Sequence, residues 1–354
     1  MRASLILSAG AILVSSLLSR TDAKQQLCNG YAELCTKTYD KVAYATAHNA
    51  YAVSPVGALT TNQYYDIPTQ LNDGIRALML DAYNSTTGNA TDIELCHTNC
   101  VLLDSGPLSK TFQQIKSFMD ANPNEVITIL WENAGNLTPA HFQAVYAATG
   151  LDKYSYTQAS GNTTWPTLAQ MISSGKRLVS FLDTGADATV PWLMAEYNFI
   201  FETPWLILKG AAYPCTVDRP KDQRKQMYVL NHFIYGELQL GGEAIDLPQP
   251  LLANQTNGPD LVSHANACQT TFNQIASFIA VDYYNVGSLF QVVAKANGVT
   301  LVTKPSATNT TSSGTTGSNS TLNVKSSGGS AVTGISQSVL SAIAAVGGVG
   351  MMLL

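Results

Sequence analysis

The stretch GIRALMLDAY, residues 74–83, opens on a glycine, runs through a nearly continuous apolar segment from Ile75 to Leu80, and ends on the acid Asp81. So short a run, with almost no alternation, reads as a strand covered on both faces, which is the habit of parallel sheets flanked by helices. The same pattern recurs in VAYATA (42–47), IRALML (75–80), DIELC (92–96), VITILW (126–131), RLVSFL (177–182), NFIF (198–201), MYVLN (227–231) and FIAV (278–281). Between some of these runs lie helical stretches. In SKTFQQIKSFMDANP (109–123), Phe112, Ile115, Phe118 and Met119 share a face and Asn122-Pro123 supplies the stop. In TPAHFQAVYAATG (138–150), Thr138 is the expected N-cap, Pro139 takes the first helical position and Gly150 closes the helix. Eight strands alternating with helices predict a single α/β domain, a (β/α)8 barrel. It is expected to be irregular between the second and third runs, where no regular helix fits.

The residues at the end of each run matter as much as the run itself. At or just beyond the eight ends stand His48-Asn49, Asp81, His97, Glu132, Asp183, Glu202, His232 and Asp282. Barrel folds place their chemistry at the C-terminal ends of the strands, so these residues are expected to share one polar pocket. His48 and His97 held across such a pocket can take a proton from one oxygen and return one to another. His141, on an outer helix face, and His264, in a loop, belong to no such set.

The segments ATAHNAY (45–51), QLNDGIRALMLDAY (70–83), NPNEVITILWEN (122–133) and FIAVDYYN (278–285), with His97 between them, resemble the catalytic X-region of phosphatidylinositol-specific phospholipase C. The likeness spans roughly residues 28–303 and is greatest to secreted, fungal-type members with a GPI-type tail. It implies that His48 is the general base, His97 the general acid, and Asp282 the carboxylate that holds the base in its working tautomer. A carboxylate beside one ring of such a pair moves the two pKa values apart. The resemblance also exposes two departures. Metal-free relatives carry an arginine where this chain has Tyr83, and a phenol donates one hydrogen bond rather than a charged fork. Calcium-dependent relatives use four oxygen ligands, of which this chain retains Asn49, Asp81 and Glu132 while Met79 replaces the fourth. One divalent cation, Ca²⁺ or Mg²⁺, is therefore expected on those three residues. The alternatives are a metal-free clamp built from Lys209 or Arg76, or a site that binds without turnover. Tyr83, Lys209 and Trp205 are the expected substrate contacts, with a phosphodiester lipid or its headgroup as substrate.

The ends of the chain point to export. Residues 1–23 pair Arg2 with the apolar run LILSAGAILVSSLL and a small-residue cleavage site, which reads as a secretory signal. Residues 304–330 form a Ser/Thr/Gly-rich stalk. The apolar segment within 331–354 closes without a basic residue, matching a GPI-attachment signal better than a plain tail anchor. The protein is accordingly expected at the outer face of the plasma membrane or in the cell wall, as a monomer. Sequons at Asn84, Asn89, Asn136, Asn162, Asn254, Asn309 and Asn319 fit that route. So do six cysteines, for which sequence proximity favours Cys28 with Cys35, Cys96 with Cys100 and Cys215 with Cys268. A zinc site at Cys96, His97 and Cys100 is the rival reading of the middle pair. A formal net charge of -5, with only 12% charged residues, offers no basic face for nucleic acid. Two further functions stay open, a non-catalytic barrel that binds a headgroup or wall polymer, and a glycoside hydrolase using Asp81 with Glu132 or Asp183 with Glu202.

Overall fold

The computed structural model describes residues 25–53, 60–85, 91–159, 161–240 and 243–302. The expected signal (1–23), stalk (304–330) and tail (331–354), with Asn89, Asn309 and Asn319, lie outside the described residues. In chain order the strands are β1 (Tyr44–Ala47), β2 (Ala77–Asn84), β3 (Ile93–Cys96), β4 (Asp104–Pro107), β5 (Ile127–Glu132), β6 (Leu178–Leu182), β7 (Leu193–Ala195), β8 (Ile200–Glu202), β9 (Met227–Asn231), β10 (Tyr235–Leu240), β11 (Glu243–Pro248) and β12 (Phe278–Val281). The helices are α1 (Ile67–Asp73), α2 (Leu108–Ala121), α3 (Pro139–Thr149), α4 (Leu168–Ser173), the single turn α5 (Ala253–Gln255), α6 (Leu261–Phe272) and α7 (Leu289–Asn297).

Eight of the strands pair in parallel in the order β7-β6-β5-β2-β1-β12-β9-β8, which is the cyclic order of a TIM-like barrel. Among the described residues no ladder joins β7 to β8. Only residues 196–199 separate these two strands, and a parallel pair needs a crossover of a dozen or more residues, so the barrel has its seam there.

Seven of the eight predicted runs are barrel strands. The run 92–96 is not: it forms β3, which pairs antiparallel with the outer end of β2 and with β4. The reason lies in β2, which continues past the barrel to Asn84 and leaves too few residues for a helical crossover, so the chain returns as a hairpin. The missing barrel strand is β7, three residues long and too short to leave an apolar signature. Irregularity also falls elsewhere than expected, because no α-helix lies between β6 and β9.

Alternation along the strands creates two cores. Ile127, Ile129 and Trp131 of β5 face outward and pack with Phe112, Ile115 and Met119 of α2 and Phe142 and Tyr146 of α3. Leu130, with Val179 and Phe181 of β6 and Phe278 and Ala280 of β12, belongs to the barrel interior. The Trp131 indole donates to the Tyr146 hydroxyl at 3.1 Å, and that hydroxyl meets Ser180 at 2.7 Å, so the outer layer buries no unpaired indole. Helix α3 ends on Gly150 in the left-handed region, as expected. The Thr138 hydroxyl meets His141 Nδ1 rather than capping the helix backbone.

All three expected disulfides are present, Cys28–Cys35, Cys96–Cys100 and Cys215–Cys268. The last spans 53 positions and ties the helix-free loop after β8 to α6. Closing so long a loop restricts the unfolded chain by several kcal/mol. Replacing both Cys215 and Cys268 by Ser should lower unfolding stability by roughly 2–4 kcal/mol in urea titration, and the Cys28/Cys35 pair, closing a shorter loop, should cost less.

Candidate active site

Parity decides which strand-end residues reach the barrel axis. Counting by twos from the interior residues Tyr44, Ala77, Leu130, Phe181, Ile200 and Ala280 leads to His48, Asp81, Glu132, Asp183, Glu202 and Asp282. All but Asp282 line one pocket, together with Asn49, Met79, Glu196 and Arg219. Asp282 reaches it through His48. Asp81 and Glu132 are register partners on adjacent parallel strands.

His48 Nδ1 lies 2.8 Å from Asp282 Oδ1. A carboxylate accepts only, so the ring donates from Nδ1 and leaves Nε2 free of that bond. One ring face stacks on Phe233, with centroids 3.7 Å apart and planes 4° from parallel. Bond and stack together leave the imidazole little freedom to rotate. Asn257, in the irregular turn between α5 and α6, donates to the carbonyls of Asp282 at 2.6 Å and Tyr283 at 3.2 Å and fixes the chain beyond the carboxylate. Gly287 lets that turn approach, since a Cβ there would stand 2.5 Å from the Asn257 backbone.

His97 arrives by another route, from the β3–β4 hairpin rather than a barrel strand. Its Nδ1 donates to the Thr60 carbonyl at 2.6 Å, which again leaves Nε2 to face outward. The Cys96–Cys100 disulfide closes the turn around it, holding Thr98 at φ 63, a conformation a β-branched residue rarely adopts. Tyr51 donates to the Cys96 carbonyl at 2.7 Å from the other side. Burial lowers the His97 pKa, and His48 adds to this, while the Thr60 bond and Asp282 oppose it.

The opposite wall is acidic. Asp81 is pushed well above the usual carboxylate range, first by burial and then by Glu132. Burial raises Asp183 to about 6 against the hydrogen bond from the Asn133 amide, and Glu132 adds to it. Glu196 is raised strongly by burial and by Glu202. Arg219 donates to Glu202 Oε2 at 2.8 Å, an oxygen that Asn231 also binds at 2.9 Å, and Tyr197 donates to the other oxygen at 3.0 Å. Burial alone would lower the guanidinium's pKa, but Glu202, Tyr197 and Glu196 raise it.

Residues 34–297 match the protein family described as PI-PLC X 1. The chain belongs to the PI-PLC X domain family. A PI-PLC X domain-containing protein of Arthroderma benhamiae is 30% identical over 302 residues, covering 82% of this chain and 96% of its own. An uncharacterized secreted protein of the same fungus is 36% identical over 77% of this chain, and the chain spans 64% of that relative's length. Among solved structures, phosphatidylinositol-specific phospholipase C from Listeria monocytogenes superposes with a TM-score of 0.48 at 13% identity, covering 77% of this chain and 97% of its own.

Within this PI-PLC X domain, several predicted residues sit elsewhere than expected. His232 is one position out of phase with the interior residue Asn231, so its ring points outward. It pairs with His264 of α6 at 2.9 Å and with the Thr256 carbonyl at 2.8 Å. His264, expected in a loop, is therefore a buried helix residue. Arg76 lies at the opposite end of β2, bound to Glu125 at 2.7 Å and to the Leu71 and Ile75 carbonyls. Lys209 is exposed on the loop after β8 and does not line the pocket. Trp205, on the same loop, is exposed and does not line the pocket either, but the Arg219 guanidinium lies 5.9 Å from its ring centre. Tyr83 donates its hydroxyl to the Thr98 carbonyl at 2.9 Å, and burial, then Asp81 and Glu132, push it up to about 12. Cys96 and Cys100 are joined, so the zinc reading falls. Sequence reasoning missed Arg219, whose loop has no periodic signal, and Glu196, which follows the unrecognised β7.

The raised carboxylates tie stability to pH. Asp183 binds its proton more tightly folded than unfolded, so its contribution is present below the unfolded value near 4 and is lost as pH rises through about 6. Asp81 and Glu196 act in the same direction. In chelator, Tm should fall between pH 5 and pH 7.5, and Asp183→Asn should reduce that fall by roughly 2–4 °C in a calorimetric pH series.

Proposed function

We propose that the protein is an exported phosphoric diester hydrolase of the phospholipase C kind, cleaving a phosphodiester lipid or headgroup by His48 and His97 acting as base and acid. The observation that carries this reading is that both rings spend Nδ1 on a fixed acceptor, Asp282 for one and the Thr60 carbonyl for the other. Each therefore has Nε2 left for proton transfer. His48 Nε2 takes the proton of the attacking hydroxyl, from a neighbouring group of the substrate or from water, and the imidazolium is stabilised by Asp282. His97, protonated, gives its Nε2 proton to the departing alkoxide. Its lowered pKa makes it a ready donor once an anionic phosphate has entered beside it.

A divalent cation, Ca²⁺ or Mg²⁺, fits the pocket. Asn49, Asp81 and Glu132 offer hard oxygen ligands, Asp81 and Glu132 stand side by side, and Arg219 is already engaged with Glu202. When bound, such an ion would neutralise charge growing on the phosphoryl oxygens. Arg219 and Trp205, rather than Lys209, are the contacts we assign to the headgroup side, and Tyr83 supports the turn beside His97. Binding without turnover is the second reading, favoured by Met79 lining the pocket in place of an oxygen ligand. Headgroup binding without cleavage in the presence of either ion would decide for it.

Export through the secretory pathway and a GPI anchor belong to the same proposal. They rest on the ends of the sequence and on a relative named as secreted. Among the described residues no helix is long and apolar enough to cross a membrane.

The two histidines can be told apart by leaving group. His48→Ala should cost roughly 10²–10⁴ in kcat on any diester, whereas His97→Ala should cost that much on alkyl diesters and no more than about tenfold on a p-nitrophenyl diester, whose departing oxygen needs no proton. Equal losses on both substrates would remove His97 as the acid.

The cation is tested separately. Activity should vanish in EDTA and return with Ca²⁺ or Mg²⁺, and Asp81→Asn should raise the ion concentration needed by roughly tenfold or more. Full activity in chelator would leave Arg219 as the charge that serves the phosphate.

A further inference from the structure

Thr60, Thr61, Asn62 and Gln63 form a short buried strap, and each makes contact with the proposed catalytic apparatus or the chain next to it. The Thr60 carbonyl accepts from His97 Nδ1 at 2.6 Å. The Thr61 carbonyl accepts from the Tyr283 hydroxyl. Asn62 donates from Nδ2 to Asp282 Oδ1 at 3.0 Å, the same oxygen that accepts from His48, and its carbonyl accepts from the Tyr283 amide at 2.8 Å. Gln63 donates from Nε2 to the His48 carbonyl at 2.7 Å and the Val281 carbonyl at 3.1 Å, and its Oε1 accepts from the Tyr284 amide at 3.2 Å. The strap is anchored in turn by the Asn62 and Gln63 amides, both donating to the Ala52 carbonyl.

We propose that this strap is the positioning element of the active site, and that Asn62 is a positioning residue which sets how strongly Asp282 holds the base His48. The inference rests on the His48/His97 reading above. A buried asparagine that only fixed a loop would have spent its donors on backbone carbonyls, as Gln63 does. Asn62 instead competes with His48 for one carboxylate oxygen. Among the described residues Asp282 Oδ2 and Asn62 Oδ1 have no hydrogen-bond partner, so Oδ1 carries both donors. A carboxylate oxygen that accepts two bonds draws less on each, so Asn62 moderates the negative charge felt by the His48 ring. The same strap delivers the Thr60 carbonyl to His97. One segment thereby holds base and acid in fixed relation, although the two histidines come from a barrel strand and a hairpin.

The test uses the secreted protein in wild-type form and as Asn62→Ala and Asn62→Ser, the serine keeping a donor if alanine folds poorly. The downfield Nδ1 proton of His48 is followed by NMR, assigned by its loss in His48→Gln, and kcat and KM are recorded separately. With Asn62→Ala the Nδ1 proton should move further downfield, and kcat should fall about tenfold with little change in KM. Asn62→Ser should lie between. An unmoved Nδ1 resonance, with kcat following only the loss of folded protein, would make Asn62 a packing residue and overturn the proposal. If the wild type cleaves no phosphodiester, the hydrolase reading fails, yet the Nδ1 proton still reports whether Asn62 tunes the His48–Asp282 bond.

Discussion

The twofold alternation of a parallel strand is the constraint on which this molecule depends. Once the strands wrap around an axis, every second side chain must point inward, and those near the strand ends crowd into one small volume. Deeper in the barrel the crowding is harmless, because Leu130, Phe181, Phe278 and Ala280 pack as an apolar interior. At the mouth the same geometry brings Asp81 and Glu132 side by side on neighbouring strands and sets Asp183 and Glu202 in the same pocket. The site arises from parity together with the choice of an ionisable residue at each last inward position.

That choice works against folding. Carboxylates drawn together and out of water repel one another, and the structure relieves this in two ways. Some bind their protons more tightly than a free carboxylate, as the raised values of Asp81, Asp183 and Glu196 indicate. Glu202 instead recruits Arg219, Asn231 and Tyr197. Both devices stabilise the pocket, yet neither leaves a free positive charge on its acidic wall. The proposed cation would serve both needs, relieving the Asp81–Glu132 repulsion and balancing phosphoryl charge.

Much of this is legible in the sequence because strands announce themselves by apolar runs and parity is simple counting. Seven barrel strands and the shared pocket of Asn49, Asp81 and Glu132 emerge from such reading, while the His48–Asp282 pair comes from the family resemblance. The failures have physical causes. β7 is only three residues long and leaves no run to detect. The segment 92–96 has the composition of a barrel strand, and composition does not record whether its partner is parallel or antiparallel. His232 falls outside the pocket because it is one residue out of phase with the inward-facing Met227, Val229 and Asn231, and one residue reverses the face. Arg219 and the Thr60–Gln63 strap are invisible to periodicity, since they lie in loops whose form is set by tertiary hydrogen bonds.

The division of the two histidines between different elements bears on the acid and base chemistry proposed for the site. His48 is fixed to the barrel by its strand, its carboxylate and the face of Phe233. His97 stands on a hairpin outside the barrel, closed by a disulfide and tied inward by a single carbonyl. A carboxylate partner favours the imidazolium of the ring it faces, whereas burial favours the free base of His97, and the Thr60 carbonyl offsets this only in part. Had both rings been carried on barrel strands, both would have faced the same acidic wall and their proton affinities would have been drawn together. Placing one on the hairpin gives it a different neighbourhood, and in the proposed reaction that difference would let one ring accept a proton while the other surrenders it.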